Sequence, residues 1–129
     1  MEVMKNEKIL SVLLLAAVLI FVSGQEKVLA QDVYVGTSNA TGWNCYVMTE
    51  TINKTTYVTH SSEKYKIYFT LKMVTPFQSV KYLDYTLSEG FTSRVWYFSN
   101  AQGYEGTIDQ YKTPIEYNAF KAICQHLGW

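Results

Sequence analysis

Few residues in this 129-residue chain are of kinds that do chemistry, and their spacing is unhelpful to catalysis. His60 and His126 stand far apart, and neither falls in a metal-ligand spacing such as HExxH or a paired CxxC. His126 sits just before an expected helix end, where a positive charge is favoured by the helix dipole. Cys45 with His60 would make a nucleophile and a base only if the thiol were free. Glu105 and Asp109 lie close in sequence, but hydrolysis by an acid pair needs a cleft. The chain contains no GxSxG and no phosphate loop, and Gly103-Tyr104-Glu105-Gly106 is a bare GxxG that reads as a turn. These residues point away from an enzyme and call for no metal and no cofactor.

The elements that would position them begin after an export signal. Lys5 and Lys8 open the chain, an apolar run extends from Ile9 to Val22, and Val28 and Ala30 supply the small residues that a signal peptidase reads. Cleavage is expected before Gln31, with a second possible cut after Gly24. An uncleaved anchor fits less well, because the apolar run would make a helix of roughly 21 Å against a hydrocarbon core of ~30 Å. No cysteine lies near the cut, so lipid attachment there is not expected. Residues 1–30 therefore read as a signal peptide and 31–129 as a single β-rich domain. That domain would be exported, whether periplasmic, on the cell surface or secreted, with no membrane span after cleavage.

Basic and acidic residues balance at 11 each, for a formal net charge of +0. Removing the first 30 residues takes Lys5, Lys8 and Lys27 from one side and Glu2, Glu7 and Glu26 from the other, so the exported part stays neutral. Nucleic-acid binding draws its affinity from Lys and Arg on phosphates, so that class is set aside. All of the tyrosines and tryptophans follow residue 30, which favours pleated, half-buried surfaces and a face able to contact a partner. In an oxidising compartment Cys45 and Cys124 read as one disulfide. It would close about 80 residues and contribute on the order of 4 kcal/mol. Asn39-Ala40-Thr41 and Asn53-Lys54-Thr55 match a glycosylation acceptor pattern and are read as chance matches in turns.

Alternation places the strands. Residues 32–37 make a first short strand, 43–52 a second, and 55–60 its hairpin partner across Asn53-Lys54. From Lys64 to Val74 the period is two, with Tyr65, Ile67, Phe69, Leu71 and Met73 on one face. Residues 79–88 repeat the pattern, 94–99 add a strand, and 107–111 add a short edge. The period then changes. Thr113-Pro114-Ile115-Glu116 reads as a capping box with proline at the first helical position, and Ile115, Ala119, Ile123 and Leu127 recur as a stripe up to Gly128. The fold class is α+β: an antiparallel meander of five to seven strands with a C-terminal helix packed on one face, or else a small β-barrel plus helix. Cys124 lies beside the stripe, so the disulfide would pin the helix to the second strand.

On the outward side, Lys64, Lys66, Tyr68 and Lys72 share one strand, Tyr82 lies on the next, and Arg94 and Trp96 on a third. Together they would form an aromatic and basic binding face. The run VYVGTSNATGWNCYVMTETI, followed by KIYFTLKMV, resembles short exported bacterial proteins, and its layout is similar to that of the adhesin-like protein E group. The resemblance covers about half of the exported part and implies a surface or periplasmic binding role without assigning a site. The expected function is that of a small exported, non-enzymatic binding or adhesion-type module whose partner is a protein or an envelope polymer. A secreted enzyme inhibitor is the alternative, ahead of a small hydrolase.

Overall fold

Alternation sends successive side chains of a strand to opposite faces, and a meander of such strands gathers the apolar set on one side of an antiparallel sheet. The computed structural model, which describes residues 31–59, 62–90 and 95–129, has this arrangement. Six strands pair antiparallel in chain order: β1 (Asp32–Thr37), β2 (Asn44–Thr59), β3 (Ser62–Val74), β4 (Val80–Glu89), β5 (Trp96–Asn100) and β6 (Glu105–Thr107). The sheet curls into a half-barrel, and helix α1 (Pro114–Leu127) packs against it, so the expected α+β meander with a closing helix is the fold. The expected signal segment (1–30), His60 and Arg94 lie outside the described residues. Among the described residues no helix is long and apolar enough to cross a membrane.

The inner face buries Cys45, Val47, Ile67, Phe69, Leu71, Leu83, Tyr85, Leu87 and Phe98 against Ala119 and Ile123 of the helix. Phe69 stacks on Tyr85 with ring centroids 5.2 Å apart, and Phe98 leans on Tyr85 from the next strand at 6.1 Å. The Tyr85 hydroxyl donates to Glu116 Oε2 at 2.6 Å, which ties the middle of the sheet to the first turn of α1. Burial and this carboxylate together hold the Tyr85 hydroxyl well above the usual tyrosine range.

The helix rests on β1 and β2. Its approach depends on Gly36, which has φ +134 and occupies a bulge in β1; a Cβ built there would lie 2.8 Å from Ile115 Cδ1. Beside it, Asn118 Nδ2 donates to the Val35 carbonyl at 2.9 Å. At the other end Gly128 is left-handed (φ 77), and Trp129 N donates to Cys124 O at 2.8 Å. This C-cap bends the chain back, laying Trp129 on Tyr65 at 4.9 Å and Trp96 at 6.1 Å.

Four local expectations are corrected. Asn53-Lys54 is not a turn: β2 runs unbroken from Asn44 to Thr59. Met48 lies opposite Thr70 and Asn53 opposite Tyr68, so five steps on β2 match two on β3. Thr51 absorbs the excess, its hydroxyl donating to Met48 O at 2.6 Å and accepting from Thr70 N at 2.8 Å. A tight two-residue turn there would have forced Lys54 to positive φ, which a side chain other than Asn or Gly resists. The last edge strand is Glu105–Thr107 rather than 107–111, because Asp109 turns the chain by accepting from Tyr111 N and Lys112 N at 2.8 Å each. The capping box does not form. Thr113 spends its hydroxyl on Thr107 O and Asp109 N, and Glu116 is taken by Tyr85.

The fourth correction concerns the disulfide: Cys45 and Cys124 are both free. Cys45 pairs across the strands with Gly36, the residue that faces Ile115 at the start of α1. Cys124 is nine positions further along the helix, about 13 Å at 1.5 Å per residue. A disulfide needs Cα atoms within about 7 Å.

Two measurements test this account. Gly36→Ala should lower unfolding free energy by about 1–3 kcal/mol, since alanine resists φ +134 and its methyl would push Ile115 Cδ1 aside; urea titration would show it as a shifted midpoint at constant slope. The second is alkaline unfolding. The folded state holds the Tyr85 proton more tightly than the unfolded chain does, so its contribution is whole below the ordinary tyrosine value of about 10 and is lost as pH rises above it. Tyr85→Phe should flatten that alkaline decline while costing about 1–3 kcal/mol at neutral pH through the lost bond to the carboxylate.

Candidate functional site

With the inner face filled by α1, the outer face of the sheet is left to solvent, and cross-strand register decides what it displays. Directly opposed residues have Cβ atoms about 5 Å apart. One row across four strands reads Tyr34, Tyr46, Lys72, Tyr82. The rings of Tyr34 and Tyr46 tilt together at 5.6 Å. Thr37 Oγ1 donates to Asn44 Oδ1 at 2.7 Å, and that uses its only proton. The 2.6 Å contact between Tyr34 and Thr37 is therefore donated by the tyrosine hydroxyl.

Lys72 stands between Tyr46 and Tyr82 but is not a free cation. Its Nζ lies 2.7 Å from Asp32 Oδ2 on β1, and this bond raises the ammonium pKa above its ordinary value. The next row is Asp32, Met48, Thr70, Asp84, in which Thr70 Oγ1 donates to Asp84 Oδ1 at 2.8 Å. Towards the β2–β3 turn the rows are Asn53, Tyr68, Thr86, Ser99, Glu105, then Thr55, Lys66, Ser88, Tyr97, Thr107. Lys66 Nζ lies 5.0 Å from the centre of the Tyr57 ring, a cation–π contact.

The sheet thus brings Lys64, Lys66, Tyr68, Lys72 and Tyr82 onto one face, as the alternation implied. It does not bring Trp96. β5 pairs Glu89 with Trp96 and Leu87 with Phe98, so Trp96 belongs to the inner face, half-buried against Phe120 at 4.8 Å. Tyr97 takes the outward place. The expected basic character weakens accordingly: the lysines at 64, 66 and 72 are balanced on the same face by Asp32, Asp84 and Glu105. What remains is a tyrosine face.

Its most exposed apolar side chain was not singled out from the sequence. Pro76-Phe77-Gln78 is a three-residue hairpin loop between β3 and β4, closed by Thr75 N to Ser79 O and Gln78 N to Thr75 O, each 2.9 Å. Gln78 occupies the left-handed position of that loop (φ 67) without being glycine. Phe77 is 92% exposed at the tip, with Val80 and then Tyr82 following on the outer face; Tyr82 is 61% and Tyr34 55% exposed. The available signal was Thr75-Pro76 ending a strand, which marks a turn but says nothing of what the turn carries.

Chemistry of other kinds finds little support in the geometry. Burial first, and the nearby Glu116 charge second, raise the Cys45 thiol above its ordinary value, so it is held in the un-nucleophilic form. Burial raises Cys124 as well. Among the described residues no three His, Cys, Asp or Glu side chains are grouped to hold a metal ion. A groove of about 620 Å³ beside Lys121, Cys124 and Trp129 has no acid and no histidine among the described residues that line it. Comparison with family models, curated proteins and solved structures returns no match to this chain.

Alkylation followed by mass spectrometry checks the thiols. Both cysteines should accept label in denaturant without reductant. In the native protein Cys124 should label first and the buried Cys45 only on unfolding; a chain that labels at neither position without reductant would contradict the free thiols.

Proposed function

We propose that this chain is an exported, non-enzymatic binding module that engages a protein or an envelope polymer through the aromatic part of its outer sheet face. The observation that carries this reading is Phe77, held 92% exposed on a loop whose closing residue, Gln78, adopts a conformation that side chains disfavour. A fully exposed phenylalanine contributes nothing to the core, and backbone outliers of this kind concentrate where surfaces are used. Tyr82 and Tyr34 extend the patch, and tyrosines make large contacts at low entropic cost. With Lys72 engaged by Asp32, recognition rests on ring contact and hydroxyl hydrogen bonds, and steering by net charge has little part. The signal-like residues 1–30 support action outside the cytoplasm.

A secreted inhibitor would present a mobile, exposed loop, for which the hairpin at 100–106 is the candidate. That hairpin is instead tightly tied: Asn100 Oδ1 accepts from Gln102 N at 3.0 Å and Tyr104 N at 3.2 Å, and Asn100 N donates to Tyr104 O at 2.9 Å. The binding-module reading is the better supported.

Phe77→Ala and Tyr82→Ala, titrated against peptidoglycan, other isolated envelope polymers and envelope proteins, should each weaken binding about tenfold, the ~1.4 kcal/mol scale of an aromatic contact. Both should keep the parent unfolding midpoint. The double variant Lys66→Glu/Tyr68→Ala reports on the far half of the face. Parent-like affinity in Phe77→Ala and Tyr82→Ala alike would sink the proposal.

A further inference from the structure

β2 is far longer than the strand that covers its outer edge. β1 reaches only to Asp32 opposite Met48, with one more bond from Thr49 N to Gln31 O at 3.2 Å. Beyond that point the edge of β2 has no strand beside it among the described residues. Which groups it offers follows from register. Thr75 N bonds to Ser79 O at the β3–β4 turn. In an antiparallel ladder bonded and non-bonded pairs alternate, so Met73, Leu71, Phe69 and Ile67 bond to β4. Lys64, Lys66 and Tyr68 are left to bond β2 through Tyr57, Thr55 and Asn53. The N–H and C=O groups of Lys54, Thr56 and Val58 therefore point outward along the free edge.

Natural sheets blunt such edges with outward charges, prolines or bulges. This segment, Asn53-Lys54-Thr55-Thr56-Tyr57-Val58-Thr59, has no proline and no carboxylate. Its one lysine is drawn onto the inner face, with Nζ 5.3 Å from the Tyr65 ring centre and 5.4 Å from that of Trp129. The bulge lies before the segment, at 48–53. Val58 is 75% exposed on the inner side, and Tyr65 and Trp129 are both exposed there.

We infer that this edge pairs with the same edge of a second copy of the chain, antiparallel about a two-fold axis at Thr56. The register is self-complementary. Thr56 meets Thr56 of the second copy, and Lys54 meets Val58, so all three outward-pointing residues find bonded partners on both sides. Like charges are not opposed, because Lys54 faces an apolar residue. The Val58 side chain of one copy is laid beside Lys54, Tyr65 and Trp129 of the other, which covers the exposed apolar groups of the inner rim. The two sheets continue as one, and the outer tyrosine faces lie on the same side of it.

Sedimentation equilibrium of the purified protein over a wide concentration series should show the weight-average mass rising toward twice that of the monomer. Thr56→Lys, at an exposed position, places like charges on the axis and should return the protein to monomer, with the unfolding midpoint the parent shows when dilute enough to be monomeric. The crosslinking arm works in a Cys124→Ser background. Thr56→Cys should give a disulfide dimer on mild oxidation, since residues across such a pair have Cα atoms about 5.5 Å apart, within disulfide reach. Val58→Cys should not, because the two copies of residue 58 lie about 13 Å apart along the strand. A monomer at every concentration overturns the inference. So does a dimer that persists in Thr56→Lys, one that crosslinks through Val58→Cys, or a monomer whose edge takes up only a foreign extended peptide.

Discussion

The structure depends on one docking event, the seating of α1 against β1 and β2 at Gly36. The apolar face of an open sheet gains by being removed from water, and among the described residues a helix of 14 residues covers it. It approaches at the β1 bulge, where Gly36 takes φ +134 and carries no Cβ against Ile115 Cδ1. Once seated, the helix brings Glu116 under Tyr85, Asn118 to the Val35 carbonyl, and Trp129 back over Tyr65 and Trp96. These contacts reach from β1 to β5, so the helix fixes the curl of the whole sheet. No covalent staple shares this role, since both cysteines are free.

Covering the inner face determines what the outer face can be. No described element packs over the outer face, so the outward residues of β1 to β5 are left wet, yet many of them are tyrosines. In an antiparallel sheet with one solvated face the outward positions are ordinarily polar. Tyrosine is the aromatic that tolerates this place, because its hydroxyl remains hydrated or bonded while the ring packs on its neighbours. The Tyr34, Tyr46, Lys72, Tyr82 row shows the arrangement locally: rings lean on one another, Thr37 accepts the Tyr34 hydroxyl, and Asp32 neutralises the lysine. Such a row is stable in water and still able to receive a partner.

How much was legible in the sequence follows from which interactions are local. The β3 alternation and the stripe of α1 are periodic, so the strand faces, the helix and the meander could be read directly, and with them Lys64, Lys66, Tyr68, Lys72 and Tyr82 as one face. Trp96 failed because its face depends on pairing with Glu89 across a loop, and an error of one residue moves a whole strand to the other side. The continuity of β2 failed because a threonine hydroxyl at 51 replaces backbone bonds, a tertiary device with no periodic signature. The disulfide failed for a geometric reason: composition and compartment say that two cysteines can join, and only the axial position of the helix says that they are too far apart. Phe77 was invisible as a site because a turn signal does not report which side chain the turn presents.

Among the described residues β2 is left with a long open edge, because β1 is short. Twelve of its residues pair with β3, whereas β1 accompanies only Asn44 to Met48. Asn53 to Thr55 still lie on β3 residues that pair with β4, and only Thr56–Thr59 with Ser62–Tyr65 make a two-stranded arm; an isolated hairpin is marginal in water. Here it is steadied by Tyr57 donating to the Glu89 carbonyl at 2.7 Å, by Tyr65 N donating to Glu89 Oε1 at 3.1 Å, and by Lys54 over two rings. These contacts hold the arm to β4 and to the C-terminal tryptophan without satisfying its outer backbone groups. An arm kept rigid but unpaired costs less entropy on pairing than a flexible one would. The fold therefore presents two different surfaces: a tyrosine face, which lies opposite the helix, and a strand edge, which runs past the end of β1.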